Sequence, residues 1–128
     1  MKLSDQDWKK RLTKEQYHVL REKATEAPDS GKLLNNHKTG DYVCAGCKAV
    51  IFKSDTKFDS GSGWPSFYEP ANKQAVILKQ DNSQSMSRVE VICANCGGHL
   101  GHVFNDAPSQ PTGMRFCINS LSLDFKEK

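Results

Sequence analysis

Apolar residues in the first 27 positions recur at helical intervals, whereas from about Tyr42 onward they come in short runs that cluster or alternate. Ser4 followed by Asp7, and Thr13 followed by Gln16, have the spacing of capping boxes, in which two side chains satisfy free backbone donors at a helix start. Beyond Thr13, Tyr17, Leu20 and Ala24 share a helical face, and Pro28 is placed to end the run because it cannot continue the helical hydrogen bonding. Pro28-Asp29-Ser30-Gly31 reads as a turn and Asn35-Asn36-His37 as an irregular connection. Lys38-Thr39-Gly40-Asp41 reads as a reverse turn into a strand, Tyr42-Val43-Cys44. Val50-Ile51-Phe52 and Val76-Ile77-Leu78 are short β-prone runs, and Ser87 to Cys93 alternates as a half-buried strand does. Asp59 to Ser66, rich in glycine and serine, is a loop. Asp81 to Ser85 is a turn between strands, and Ala107 to Gly113 is a loop leading to a final strand from about Met114 to Phe125. The pattern predicts one domain over residues 1–128, with a helical segment over 1–27 and a β domain over 42–125.

Composition adds limits rather than identity. At 128 residues, with 37% hydrophobic and 26% charged residues, the chain has the make-up of an ordinary globular domain with a modest core. Its net charge of +3 is spread without a block of like charges, so neither a nucleic acid nor a membrane is an expected partner. No apolar run approaches membrane-spanning length, and Met1 to Trp8 lacks the apolar core of a signal peptide. The expected setting is therefore a reducing one, the cytoplasm. The lack of an obvious apolar helix face favours a monomer.

Cysteine spacing changes the picture. Cys44-Ala45-Gly46-Cys47 and Cys93-Ala94-Asn95-Cys96 share one CxxC pattern, with 45 residues between the two units. Two residues between cysteines let a tight turn aim both sulfurs at one ion, and two such turns supply the four ligands of tetrahedral Zn²⁺. In a reducing compartment that reading is preferred to disulfides. Cys117 is left over. If its segment is a strand, Arg115, Cys117 and Asn119 line one face while Phe116 and Ile118 point into the core. A guanidinium beside a thiol favours the nucleophilic thiolate, and an amide one step on can bond a substrate oxygen. A free cysteine can equally be a small buried hydrophobe, and its polar neighbours leave the two readings balanced.

His99 and His102 follow the second CxxC unit. Histidine is suited to proton transfer near neutrality, although two surface histidines explain the residues as well. In a regular strand they would face opposite ways, and a bulge at Gly101 would bring them to one side. Trp64 sits in a glycine-rich loop, where its indole either packs into the core or lines a binding site.

Three segments together, Gly61-Ser62-Gly63-Trp64-Pro65-Ser66-Phe67, Cys93 through Phe104, and Arg115-Phe116-Cys117-Ile118-Asn119-Ser120, resemble methionine-R-sulfoxide reductases of the B type. The resemblance runs from about Trp8 to Leu123. It implies a mainly β fold, with two antiparallel sheets in a tent-like arrangement, short N-terminal helices and one structural Zn²⁺ away from the catalytic face. The metal ligands would be Cys44, Cys47, Cys93 and Cys96. Cys117 would attack the sulfoxide sulfur of methionine-R-sulfoxide in oxidised proteins. Trp64 would receive the terminal methyl group and Phe104 would extend the apolar side of the pocket. His99, His102 and Asn119 would hold and protonate the sulfoxide oxygen, Arg115 would stabilise the thiolate, and Asp106 would support Arg115 and the histidines. The bottom-up chemistry agrees: a sulfoxide oxygen leaves only when protonated, so an acid must stand beside the thiolate, and the cysteine becomes a sulfenic acid.

The chain departs from many such reductases at Ser62, where they carry a cysteine that resolves the sulfenic acid as a disulfide. An external thiol, thioredoxin or glutaredoxin with glutathione, is then the expected reductant. Asp29 stands where relatives often have an aromatic residue, and bears on how the N-terminal segment closes over the core. Two other classes fit parts of the pattern. A zinc-ribbon binding module would explain the CxxC pairs and the positive charge, but not Arg115 to Ser120. A chaperone or exchange-factor module on a similar scaffold would need no reactive thiol.

Overall fold

The computed structural model describes residues 3–83 and 86–128. Helix α1 spans Asp5–Arg11 and α2 spans Lys14–Glu22. Ser4 Oγ accepts from the Asp7 N–H at the first start, and Thr13 and Gln16 form the complete reciprocal box at the second. The helical run stops well before Pro28. Lys23 takes a left-handed conformation (φ 60°) and caps α2, so Ala24 lies outside the helix. That reversal sends residues 24–27 back across the molecule, where Glu26 becomes buried.

Among the described residues nine strands follow: β1 (Gly40–Cys44), β2 (Val50–Lys53), β3 (Lys57–Phe58), β4 (Ser66–Phe67), β5 (Val76–Asp81), β6 (Arg88–Cys93), β7 (His99–Phe104), β8 (Arg115–Ile118) and β9 (Leu123–Glu127). They form two antiparallel sheets, one in the order β2-β1-β9 and the other in the order β3-β4-β8-β7-β6-β5. The fold is thus mainly β, with two short helices. The expected turn at Asp81 to Ser85 begins one residue late, because Asp81 still pairs with Arg88 across β5 and β6. Gln84 and Ser85 lie outside the described residues.

The single final strand expected over 114–125 is two strands in different sheets. Between β8 and β9 a 3-10 turn spans Ser120–Ser122. Polar side chains hold this crossover: Asn119 Nδ2 donates to the Leu100 carbonyl, Ser122 Oγ to the His99 carbonyl, and the Leu121 N–H to Glu26 Oε1. The run Asn119-Ser120-Leu121-Ser122 is turn chemistry, and it outweighs the β propensity on either side.

The sheets meet through aromatic rings. Phe67 of β4 stacks on Phe52 of β2 at 4.3 Å and meets Tyr42 of β1 edge-on at 5.0 Å. Phe116 of β8 closes the cluster against Phe52. Phe52, Phe67 and Tyr42 are fully buried, which places these rings at the centre of the hydrophobic contribution to stability.

Candidate active site

The two CxxC turns are built alike. In the first, the Cys44 N–H donates to the Ala49 carbonyl and the Lys48 N–H to the Cys44 carbonyl; in the second, Cys93 and Gly98, then Gly97 and Cys93, repeat both bonds. Each turn needs a left-handed residue at the same place, Lys48 (φ 69°) and Gly97 (φ 78°). The four sulfurs lie within 4.8 Å of one another, with Cys44 and Cys96 at 3.7 Å and Cys47 and Cys93 at 3.5 Å. Four thiolates at about 2.3 Å from a tetrahedral ion would sit roughly 3.8 Å apart, so this donor set fits a metal ion. Hydrogen bonds with Cys93 and Cys96, and then burial, push the Cys44 thiol far above its ordinary pKa, and a bound cation would instead favour the thiolate.

The N-terminal helices lean on these turns. Arg21 Nη1 donates to the Cys96 carbonyl at 3.0 Å, and its guanidinium lies 4.6 Å from the centre of the buried Trp8 ring. None of the four cysteines lines the reactive cavity described next.

That cavity, of about 190 Å³, is lined on its reactive side by Cys117, Trp64, Ser62, His102, Phe104 and Arg115. Strand alternation places them as the sequence suggests: Phe116 and Ile118 are buried on one face of β8, and Arg115 and Cys117 stand half-buried on the other. Cys117 lies in register with His102 on β7 and Ser66 on β4. The strands approach closely here; a side chain at Gly101 would come within 2.0 Å of the Cys117 carbonyl oxygen. Arg115 holds Asp106 through two bonds of 3.0 Å and stacks over the Phe104 ring at 4.6 Å.

Trp64 takes its position from the N-terminal segment. Its Nε1–H donates to the Glu26 carbonyl at 3.0 Å, while the Asp29 N–H donates to the Gly63 carbonyl at 2.8 Å. Gly63 must be glycine here: its φ is +94°, and Pro28 would lie 2.7 Å from an added Cβ. Asn119 also lines the cavity, but its amide is largely engaged. Oδ1 accepts from the Glu26 N–H and Nδ2 donates to Leu100, which leaves one N–H for a ligand.

The bulge anticipated at Gly101 is present. β6 residues 91 and 92 pair with β7 residues 101 and 99, which leaves Leu100 unpaired and turns both histidines to one side. Their ring centres are 5.4 Å apart. They have different surroundings. His99 is buried; its Nδ1–H donates to the buried Glu90 at 2.7 Å, and its Nε2 is enclosed without a protein partner. Burial holds its pKa below the usual value, with Glu90 pulling the other way. His102 reaches the cavity and bonds Asp81 through Nε2 at 2.8 Å. Asp106, expected to support both Arg115 and the histidines, bonds Arg115, while the histidines' carboxylates are Glu90 and Asp81. Sequence reading singled out neither of these, nor Glu26.

Arg115 does pull the Cys117 thiol toward ionisation, as does Ser62, whose Oγ lies 4.0 Å from Sγ. Burial is the stronger effect, and the thiol's pKa is raised overall. The sulfur is therefore sheltered, with Arg115 and Ser62 beside it opposing the effect of burial.

A half-buried thiol facing an indole and a carboxylate-held histidine, with a separate four-cysteine cluster able to hold a metal ion, marks the class of thiol redox enzymes. Residues 12–127 match the SelR domain. The chain belongs to that family. It is 58% identical over 125 residues to the peptide methionine sulfoxide reductase MsrB of Leptospira interrogans, covering 98% of this chain and 95% of that protein. The MsrB of Methanosarcina barkeri is 58% identical over 123 residues (96% and 86%), and that of Bradyrhizobium diazoefficiens 55% over 125 residues (98% and 89%).

Proposed function

We propose that this chain reduces methionine-R-sulfoxide in oxidised proteins to methionine, and that Cys117 carries the reaction. The observation behind this reading is that the one cysteine outside the four-sulfur cluster opens onto a cavity shared with Trp64 and His102. Its family membership and its high identity to the MsrB proteins support the same activity.

In this reading Trp64 and Phe104 receive the methyl group and its apolar neighbours, and Arg115, anchored by Asp106, eases Cys117 to the thiolate. The thiolate attacks the sulfoxide sulfur while a histidine proton passes to the oxygen; the transient Sγ–S bond and the S–O bond then break as the hydroxyl moves to Cys117. Thiolate, imidazolium and sulfoxide become sulfenic acid, neutral imidazole and methionine, so the sulfoxide gains the two electrons that the thiol loses. His102 and the spare N–H of Asn119 face the oxygen from the cavity lining, with His99 packed behind His102. Zn²⁺ fits the thiolate donor set, where it would cross-link the two turns structurally; Cys44, Cys47, Cys93 and Cys96 would hold it.

Ser62 stands 4.0 Å from Cys117 Sγ, and a hydroxyl cannot close a disulfide. An external thiol such as thioredoxin or glutaredoxin with glutathione would therefore regenerate Cys117, in a monomeric, single-domain protein of the cytoplasm. Among the described residues no helix is long and apolar enough to cross a membrane.

Turnover on separated R and S epimers of a methionine sulfoxide peptide, with thioredoxin and glutathione systems compared, tests the reading. The expected result is R-specific methionine formation, with one sulfenic acid per chain when the reductant is omitted. No reduction of either epimer, or an internal disulfide in metal-replete protein, would overturn it.

A further inference from the structure

The two histidines near Cys117 are each held by a carboxylate, but only one faces the cavity, and its carboxylate is itself fixed from two sides. Asp81 is the last residue of β5 and lies in register with Arg88 at the start of β6. Its Oδ2 accepts from His102 Nε2 at 2.8 Å and lies 3.5 Å from Arg88 Nη2, while its Oδ1 accepts from the Ser83 N–H at 2.9 Å. With both oxygens committed, the carboxylate has little freedom to turn away from the ring.

We propose that Asp81, locked by Arg88 and Ser83, is the positioning residue that selects His102 as the proton donor to the sulfoxide oxygen. The inference rests on the reductase reading above. A carboxylate only accepts, so the His102 nitrogen facing it must carry hydrogen, and the neutral ring is the Nε2–H tautomer. Proton delivery then falls to Nδ1, protonated in the imidazolium and bare after transfer. Asp81 is thus indirect: it touches neither substrate nor sulfur, and acts by fixing which nitrogen works. Its carboxyl is held well below the usual range by Ser83 and His102, so it remains an acceptor throughout.

His99 is set the opposite way. Glu90 fixes its hydrogen on Nδ1, so the bare Nε2 can accept but not donate, and burial disfavours the imidazolium. Its place behind His102, outside the cavity lining, suits a support for the reacting ring. The charged and titratable groups around His102 are Asp81 from β5, Arg88 and the in-register Glu90 from β6, His99 from β7, Cys117 and Arg115 from β8, and Lys23, which pairs with Glu90 from the N-terminal segment. Of these, Asp81 and Glu90 bond a histidine ring, and Asp81 alone bonds the ring that reaches the cavity.

The test is single-turnover reduction of an R-sulfoxide peptide, which excludes reductant recycling, by wild type, Asp81→Asn, Asp81→Glu and Glu90→Gln. Asp81→Asn should lower the rate constant about tenfold with less than a threefold change in half-saturating peptide. Asp81→Glu should recover part of the rate. Nitrogen-15 NMR of the histidine rings should show the Nε2–H form of His102 in the wild type and a mixture in Asp81→Asn. A wild-type rate and tautomer in Asp81→Asn would overturn the proposal, as would a greater loss of rate in Glu90→Gln than in Asp81→Asn. A wild-type protein inactive on the R epimer would instead overturn the reductase reading, and the tautomer measurement would still decide what Asp81 does to His102.

Discussion

Five identical side chains occupy two environments in this molecule, and the contrast shows how a fold assigns chemistry to sulfur. Cys44, Cys47, Cys93 and Cys96 face one another from two turns of the same construction, at distances that fit a shared metal ion. Cys117 faces arginine, serine and histidine from a strand, with the Ser62 hydroxyl 4.0 Å from its sulfur. In the first region sulfur meets sulfur and the product is structure. In the second, sulfur meets groups that donate protons or carry charge, and the product is reactivity.

The contrast breaks most completely at Cys117. Cys117→Ser should lose about 10³-fold or more of R-sulfoxide turnover, with metal content and melting temperature unchanged; retained turnover would relocate the nucleophile. Cys44→Ser or Cys93→Ser should do the reverse, losing metal by elemental analysis and about 4 kcal/mol or more of stability by denaturant titration. If either variant kept both metal and stability, the cluster would not be a structural site.

Arg115→Met sharpens the electrostatics. Arg115 lowers the Cys117 pKa against the larger effect of burial, so its removal should raise that pKa further. The pH profile of thiol alkylation should move to higher pH, and the rate near neutrality should fall about tenfold; an unmoved profile would show that the guanidinium serves Asp106 and Phe104 alone. The smallest expected change in turnover comes from Ser62→Cys, which gives Cys117 a sulfur partner. Intact mass after one turnover should then show an internal disulfide where the parent shows a sulfenic acid.

Local chemistry was well expressed in the sequence. The CxxC spacing marked the paired turns, Thr13 and Gln16 marked a helix start, and Gly101 marked the bulge that brings two histidines together. Strand alternation placed Arg115 and Cys117 on one face. What the sequence hid was pairing across distance. Glu90 and Asp81 lie 9 and 21 residues from the histidines they hold, and no local pattern ties a carboxylate to a ring on another strand. The end of α2 was misjudged because a left-handed lysine leaves little trace in composition, whereas Pro28 is conspicuous. The break after Ile118 depends on Asn119, Ser120 and Ser122 finding partners in other parts of the chain.

The stretch from Leu20 to Glu26 touches both sulfur environments. Leu20 packs beside Gly98 and Arg21 grips the Cys96 carbonyl at one end; at the other, Lys23 reaches Glu90 and the Glu26 carbonyl holds the Trp64 indole. It is a short lever between scaffold and pocket. Disturbing the CxxC turns would therefore be transmitted to the Trp64 wall of the cavity and, on the proposed reading, epimer selectivity would register damage to the scaffold before the thiol itself had changed.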